Sequence, residues 1–198
     1  MKILFISLGC DKNLADSEEM LGLLTGNGHE IVDSEEEADA IVINTCCFIH
    51  DAKEESVNTI LEMAEYKKTG PCKILIVTGC MAQRYKEEIT EEIPEVDAVL
   101  GTTSYGDIVK ALNEAEAGHV FQEFKDINAL PEDSGRRVIT TGGHFGYLKI
   151  AEGCDKHCTY CIIPSLRGKF RSVPEERLLK QAEYMASQGV RELILVAQ

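Results

Sequence analysis

Short apolar runs alternate with amphipathic segments through the first 125 residues, and this alternation restricts the fold more than any other feature of the sequence. Runs at 2–8, 40–44, 73–78 and 96–100 have the length and apolar character of buried strands. Strands that alternate with helices form a mostly parallel sheet with helices on both faces. The sequence therefore predicts an α/β fold, with a flavodoxin-like or Rossmann-like parallel sheet in residues 1–125.

Helical patterns fill the segments between these runs. The first helix is expected to begin at Asp16, which would act as an N-cap with Glu19 at the N3 position, and to end near Gly26. A second helix of about 17 residues is expected from Asp51, because apolar side chains there recur with the spacing of one helical face. These helices connect the first strands of the predicted sheet.

The pattern changes between residues 126 and 143, which are rich in Asn, Pro, Asp, Ser and Gly. We expect 126–143 to be a linker, and 144–198 to be the beginning of a second, truncated domain. Within that domain, a helix with Pro174 at its first position leads to a buried strand at 192–197. One βαβ unit is not a complete fold, so the chain is predicted to be a fragment of a longer protein.

The formal charge of −14 is concentrated in the N-terminal half, since residues 144–198 carry slightly more bases than acids. Acidic surface repels phosphate, which disfavours nucleic acid as a direct partner of this half. No apolar run approaches the roughly 20 residues of a membrane span, and the first run lacks the flanks of a signal peptide. We therefore expect a cytoplasmic protein without a membrane partner.

Three of the eight cysteines lie together, directly after a predicted strand: Cys154, Cys158 and Cys161. Cytosolic thiols stay reduced, so clustered cysteines there favour metal binding over disulfides. Three thiolates on one loop can hold one face of an iron–sulfur cube and leave the fourth iron open. Zinc with His157 as a fourth ligand is an alternative that this spacing fits less well.

Three further cysteines each follow a different predicted strand: Cys10, Cys46 and Cys80. The carboxyl ends of parallel strands meet at one edge of a sheet, so these thiols are expected to converge there. Gly9 and Gly79 each precede a cysteine and would let the backbone turn tightly beside a bulky group. The alternative is three separately buried thiols, because free cysteine is often buried.

Two cysteines fit neither set. Cys47 adjoins Cys46, and neighbouring side chains of an extended chain point in opposite directions. Cys72 lies in a turn before a strand. Both are interpreted as spare thiols, with Cys46 preferred over Cys47 as the ligand.

The C-x-x-x-C-x-x-C spacing after a strand strongly resembles the radical S-adenosylmethionine superfamily. Within it, residues 7–13, 43–46, 79–84 and 151–168 look like the methylthiotransferases, and the resemblance covers essentially the whole chain. The motif Leu-Gly-Cys-Asp-Lys-Asn around Cys10 is similar to the RimO type, whereas the tRNA-modifying MiaB type typically has Tyr-Gly-Cys-Gln-Met-Asn there. Cys47 departs from the pattern, because the RimO type would have Gly at that position.

The resemblance implies two [4Fe–4S] clusters and the cofactor S-adenosyl-L-methionine. We call Cys10, Cys46 and Cys80 the first triad, and Cys154, Cys158 and Cys161 the second triad. Each triad would hold one cluster, and the second cluster would bind the cofactor. Residues 144–198 would begin a radical SAM partial (β/α) barrel.

The sequence supports less specific interpretations for two further groups of side chains near the second triad. Tyr160 occupies the place of an aromatic beside the cofactor's adenine, although plain packing explains its ring equally well. Arg167, Lys169 and Arg171 could contact the cofactor or a substrate carboxylate, but an exposed basic loop is the favoured interpretation. No catalytic residue is assigned beyond the cluster ligands.

The implied activity is a transferase that inserts a methylthio group into an unactivated C–H bond, on an aspartate of the small-subunit ribosomal protein S twelve. Its other partners would be an electron donor such as flavodoxin or ferredoxin, and a sulfur donor. Two alternatives stay open, a tRNA adenosine methylthiotransferase of the MiaB type and a non-catalytic iron–sulfur electron carrier. The 198-residue chain is expected to be inactive alone.

Overall fold

The computed structural model describes residues 1–132 and 135–197. Asp133 and Ser134 of the predicted linker, and Gln198 of the predicted second domain, lie outside the described residues. A bilayer crossing takes about 20 apolar residues in one helix, and no helix within the described ranges meets that requirement.

Residues 2–123 contain a six-stranded, fully parallel sheet with the strand order β2-β1-β3-β4-β5-β6. The strands are β1 (Lys2–Ser7), β2 (Glu30–Val32), β3 (Ala40–Thr45), β4 (Ile74–Gly79), β5 (Ala98–Leu100) and β6 (Phe121–Glu123). This order extends the flavodoxin-like arrangement by one strand. The predicted α/β fold with a parallel sheet is confirmed.

Helices cover both faces of this sheet. They are α1 (Asp11–Gly26), α2 (His50–Thr69), α3 (Cys80–Arg84), α4 (Lys86–Glu92) and α5 (Ile108–Glu116), with short 3-10 turns at Glu35–Glu37 and Tyr105–Asp107. Alternate residues of a strand point to opposite faces. Accordingly Ile41 and Ile43 of β3 pack in the core cluster that contains α2, whereas Val42 packs in the cluster that contains α1 and α5.

The C-terminal region, which we define as residues 144–197, forms a separate βαβ unit. Its elements are β7 (Phe145–Lys149), β8 (Ala151–Glu152), α6 (Ile163–Arg167), β9 (Arg171–Ser172), α7 (Glu175–Ser187) and β10 (Glu192–Val196). Strands β7 and β10 pair in parallel, and α7 crosses between them, while β8 and β9 form a small antiparallel pair. This arrangement agrees with the expected beginning of a (β/α) barrel.

Two expectations for this region are wrong. Strand β10 is largely exposed rather than buried, with Leu195 61% accessible, because among the described residues it pairs with β7 alone. Pro174 precedes the first helical residue, Glu175, instead of occupying that position itself.

Helix α1 begins at Asp11, five residues earlier than predicted, so Asp16 is not an N-cap. Cys10 precedes the helix in an extended conformation, with φ −92° and ψ 173°. Asp16 instead lies in the second turn and is only 4% exposed, because the C-terminal region covers that side of α1. The helix therefore has two buried sides, one against the sheet and one against the C-terminal region.

Candidate cysteine-lined site

The sheet brings the first triad to one edge. Strands β1, β3 and β4 are neighbours in the sheet, and each is followed within three residues by one cysteine of the triad: Cys10, Cys46 or Cys80. The gap between β1 and β3 is the point at which the strand order reverses, where α/β sheets of this kind commonly bind ligands. The geometry thus places three thiols at the preferred ligand edge of the fold.

Two glycines allow the chains to approach each other there. Gly9 and Gly79 have positive φ angles of +95° and +93°. A Cβ atom on Gly9 would lie 2.6 Å from the Cβ of Cys46, and one on Gly79 would lie 2.3 Å from Oδ1 of Asn44. Neither position has room for a larger residue, so the tight turns before Cys10 and Cys80 depend on glycine.

Cysteines from both triads face a single cavity of about 590 Å³. Its wall combines thiols, apolar side chains and two cations, with these principal members: Cys10, Cys46, Cys80, Cys154, Cys161, Phe48, Ile49, Ile163, Leu166, Lys12 and Arg167. The structure therefore brings five of the six predicted ligands to one space. Cys158 is exposed and lies outside this lining, as does Tyr160, whose side chain is 91% exposed.

The loop of the second triad has one backbone hydrogen bond at its start and one within it. The backbone N–H of Cys154 donates to the carbonyl of Gly168 at 3.0 Å, and that of Cys161 donates to the carbonyl of Cys158 at 3.0 Å. Across residues 1–132 and 135–197, no three side chains of His, Cys, Asp or Glu are grouped as ligands for a single metal ion. This holds for the zinc arrangement with His157 and for each cysteine triad alike.

At the cavity wall and behind it, five charged side chains form what we call the buried ion network. Its members, each at most 7% exposed, are Lys12, Asp16, Lys149, Glu152 and Arg167. Glu152 lies 3.2 Å from Nζ of Lys12 and 2.6 Å from Nζ of Lys149. Asp16 pairs with Lys149 and, at 2.7 Å, with Arg167. Lys12 and Asp16 belong to α1, and the other three belong to the C-terminal region, so the network joins the two.

Burial and pairing act against each other on these groups. Burial alone would raise the pKa of Glu152, but Lys149, Arg167 and Lys12 outweigh it and hold that pKa well below its usual range. Burial likewise opposes the charge on Lys149, but Asp16 and Glu152 raise the pKa of this amine well above normal. The pKa of Lys12 is lowered because burial outweighs its contact with Glu152. The network therefore holds the Glu152 carboxylate ionised inside the protein.

The sequence interpretation missed this network, and the expectation that Arg167 belongs to an exposed loop is wrong. Its side chain is 3% exposed and inserts against α1, while Lys169 is exposed and Arg171 is partly buried. One signal was available, because Lys149 interrupts an apolar strand directly before the second triad. A charge at such a position requires a buried partner. The identity of that partner depends on tertiary contacts with α1.

Cys47 is held differently from Cys46. Its Sγ donates to the carbonyl of Cys80 at 3.3 Å, and its side chain belongs to the core cluster around α2 rather than to the cavity lining. Burial raises the pKa of the Cys47 thiol to about 11. Burial raises the pKa of the Cys80 thiol as well, so the pKa does not separate these cysteines. The position of Cys47 outside the cavity lining is what favours Cys46 as the ligand.

We therefore expect Cys47→Ala to retain the iron bound at the first triad after anaerobic reconstitution, and Cys46→Ala to lose it. Iron and acid-labile sulfide per chain measure the outcome. The two changes remove the same group from adjacent positions, so each is the control for the other. Equal iron loss in both variants would contradict the assignment of Cys46.

Comparison with known proteins identifies the chain's relatives. Residues 148–198 match the Radical SAM superfamily, and residues 2–101 match the Uncharacterized protein family UPF0004. A ribosomal protein uS12 methylthiotransferase RimO of Lachnoclostridium phytofermentans is 65% identical over 198 residues. Proteins of the same name from Clostridioides difficile and Acetivibrio thermocellus are each 50% identical. These alignments include 100% of this chain but 45% of each relative, so the chain spans less than half of their length.

The predicted resemblance to the RimO type of methylthiotransferase is confirmed by these relatives. The match to residues 2–101 contains the whole first triad, and the match to 148–198 contains the whole second triad. Because the first of these matches covers half of the sequence, the chain belongs to the Uncharacterized protein family UPF0004.

Proposed function

We propose that this chain is part of a radical SAM methylthiotransferase that acts on ribosomal protein uS12. The observation that carries the proposal is the shared cavity of about 590 Å³, which thiols of both triads line. The names of the relatives supply the substrate, and the aspartate of uS12 as the modified residue follows from the motif resemblance.

The residues present fit two [4Fe–4S] clusters. Cys10, Cys46 and Cys80 would hold one, and Cys154, Cys158 and Cys161 would hold the other, together with S-adenosyl-L-methionine. Three thiolates per cube are the donors that such clusters take, and they leave one iron open. The cavity supplies thiols, and no carboxylate belongs to its lining.

When bound, these groups would supply the radical and the sulfur chemistry of methylthio transfer. The chain's own residues would hold the clusters, surround them with apolar side chains and balance the negative charge of the thiolates. Phe48, Ile49 and Ile163 give the cavity an apolar wall. Lys12 and Arg167 place positive charge where thiolates accumulate, and no side chain of the described region is assigned a proton-transfer role.

The remaining partners belong to the same proposal. Radical chemistry with S-adenosyl-L-methionine needs an electron donor, for which flavodoxin or ferredoxin is suited, and the transferred sulfur needs a donor. We place the protein in the cytoplasm, where its thiols would stay reduced and newly made uS12 is available.

The test compares two substrates side by side. A chain of the relatives' full length, anaerobically reconstituted and reduced, is expected to transfer labelled methyl from S-adenosyl-L-methionine to uS12 and not to tRNA. Mass spectrometry of uS12 should locate a methylthio group on an aspartate. Label in tRNA alone would overturn the substrate assignment. Failure to form deoxyadenosine under reduction would instead indicate a non-catalytic iron–sulfur protein.

A further inference from the structure

Arg167 connects the two triads through a single side chain. Its backbone ends α6, the helix that follows the loop of the second triad, and its side chain is 3% exposed. The guanidinium reaches α1, where Nη1 contacts Asp16 at 2.7 Å and Nη2 donates to Oδ1 of Asn13. Helix α1 begins directly after Cys10. Arg167 therefore links the C-terminal region to α1, the helix that directly follows Cys10 of the first triad.

Asn13 extends this link to each cysteine of the first triad. Its Nδ2 donates to the carbonyl of Leu8 at 3.0 Å and to that of Thr45 at 2.8 Å, just before Cys10 and Cys46. Its Oδ1 accepts the Arg167 N–H and lies 3.8 Å from Sγ of Cys80. The amide can satisfy these contacts in one orientation only, because oxygen must face the guanidinium and nitrogen the two carbonyls. Arg167 therefore holds Asn13 in this orientation together with the two carbonyls.

The charge of Arg167 adds to its geometric role. Guanidinium keeps its proton under all ordinary conditions. Lys12 and Arg167 line the cavity, whereas no carboxylate belongs to its lining. An excess of positive charge thus lies beside the thiols of the first triad. Nearby positive charge and hydrogen bonds around the sulfurs favour the reduced state of an iron–sulfur cluster.

We propose that Arg167 is a positioning residue for the first triad, supplied by the C-terminal region. It orients Asn13 between the three cysteines and raises the reduction potential of the cluster they hold. This inference rests on the proposed function only in requiring a cluster at the first triad. It needs neither a substrate nor turnover.

The test is a spectroscopically monitored redox titration of the reconstituted protein. To observe the first cluster alone, Cys154, Cys158 and Cys161 are replaced by alanine. In that background Arg167→Met is expected to lower the midpoint potential of the first cluster. Arg167→Lys is expected to lower it less, because lysine keeps the positive charge but loses the paired contacts that the guanidinium makes with Asp16 and Asn13. With the first triad replaced instead, Arg167→Met should shift the second cluster less.

Arg137→Met is the matched control. Arg137 is also a buried arginine, 6% exposed, which joins α1 to the rest of the chain through Glu18 at 2.6 Å. It does not belong to the cavity lining. Its loss should reduce thermal stability without changing the potential.

Each result distinguishes positioning from general stability. A lower potential in Arg167→Met but not in Arg137→Met supports the proposal, as does selective loss of iron from the first triad in Arg167→Met. Equal effects in both variants, or no effect of Arg167→Met, would overturn it. A negative uS12 assay with these shifts present would refute the proposed substrate and leave the role of Arg167 intact.

Discussion

Replacement of Cys154, Cys158 and Cys161 by alanine is expected to remove about half of the iron that the reconstituted chain binds. Each triad would hold one [4Fe–4S] cluster, so the unchanged chain should bind about eight irons and the triple variant about four. The complementary change of Cys10, Cys46 and Cys80 should also leave about four. Iron and sulfide analysis after anaerobic reconstitution gives these counts directly.

Cys72→Ala is the control for this experiment. Cys72 is a buried thiol outside both triads, and its Sγ donates to the carbonyl of Ile74 at 3.3 Å. Its loss should leave the iron content unchanged. A total of about four irons that neither triple change reduces would rule out two clusters. Loss of all iron in either triple variant would show that the triads depend on each other.

Much of the sheet was predictable because its strands are defined locally. The runs that became β1, β3 and β4 are continuous apolar segments, and parallel strands buried on both faces have this composition. Strands β2 and β6 were missed, since each has three residues and includes glutamate. Such short strands form because a neighbouring strand provides backbone partners, which a local pattern does not show.

The start of α1 shows a limit of local capping rules. Asp16 and Glu19 have the residue types and spacing of a helix N-terminus, yet the helix already exists at Asp11. Both carboxylates are buried, Glu19 beside the hydroxyl of Tyr105 and Asp16 beside Arg167. Their partners are 86 and 151 residues away in sequence. A pattern confined to one helix cannot distinguish a capping aspartate from one that anchors a distant region.

Only part of the candidate site was predictable from the sequence. The order of strands and cysteines was sufficient to predict that the first triad converges, because parallel strands end at a common edge. That thiols of the second triad face the same cavity depends on how the C-terminal region docks on α1. The buried ion network contributes to this docking, and apart from Lys149 its members have no local sequence signal that distinguishes them from surface charges.

Glu152→Gln should be the most destabilising single change in this network. Glu152 is 3% exposed and contacts both Lys12 and Lys149. Its neutralisation leaves three buried cations with one carboxylate, and breaking a buried pair in this way typically costs about 3–5 kcal/mol. For a chain of this size the midpoint of thermal unfolding should fall on the order of 10 °C. Calorimetry or circular dichroism measures the change.

Two further variants separate this effect from ordinary charge loss. Glu37→Gln removes an exposed carboxylate that pairs with Lys2 at 3.0 Å, and no measurable loss of stability is expected. Combining Glu152→Gln with Lys149→Met restores the net charge of the network, because one cation and one carboxylate are then removed together. The double variant should regain part of the lost stability. If Glu152→Gln is no more harmful than Glu37→Gln, the network does not act as a desolvated unit.

The pH dependence of the same variant provides an independent check. The folded-state pKa of Glu152 lies below its unfolded value of about 4.3, so its ionised form stabilises the fold. That contribution is fully present above the unfolded pKa and is lost as pH falls through the folded value. The stability difference between the unchanged chain and Glu152→Gln should therefore be constant near neutral pH and shrink below about pH 4. A difference that stays constant under acid conditions would mean that Glu152 stabilises the fold through packing, and that its charge contributes nothing.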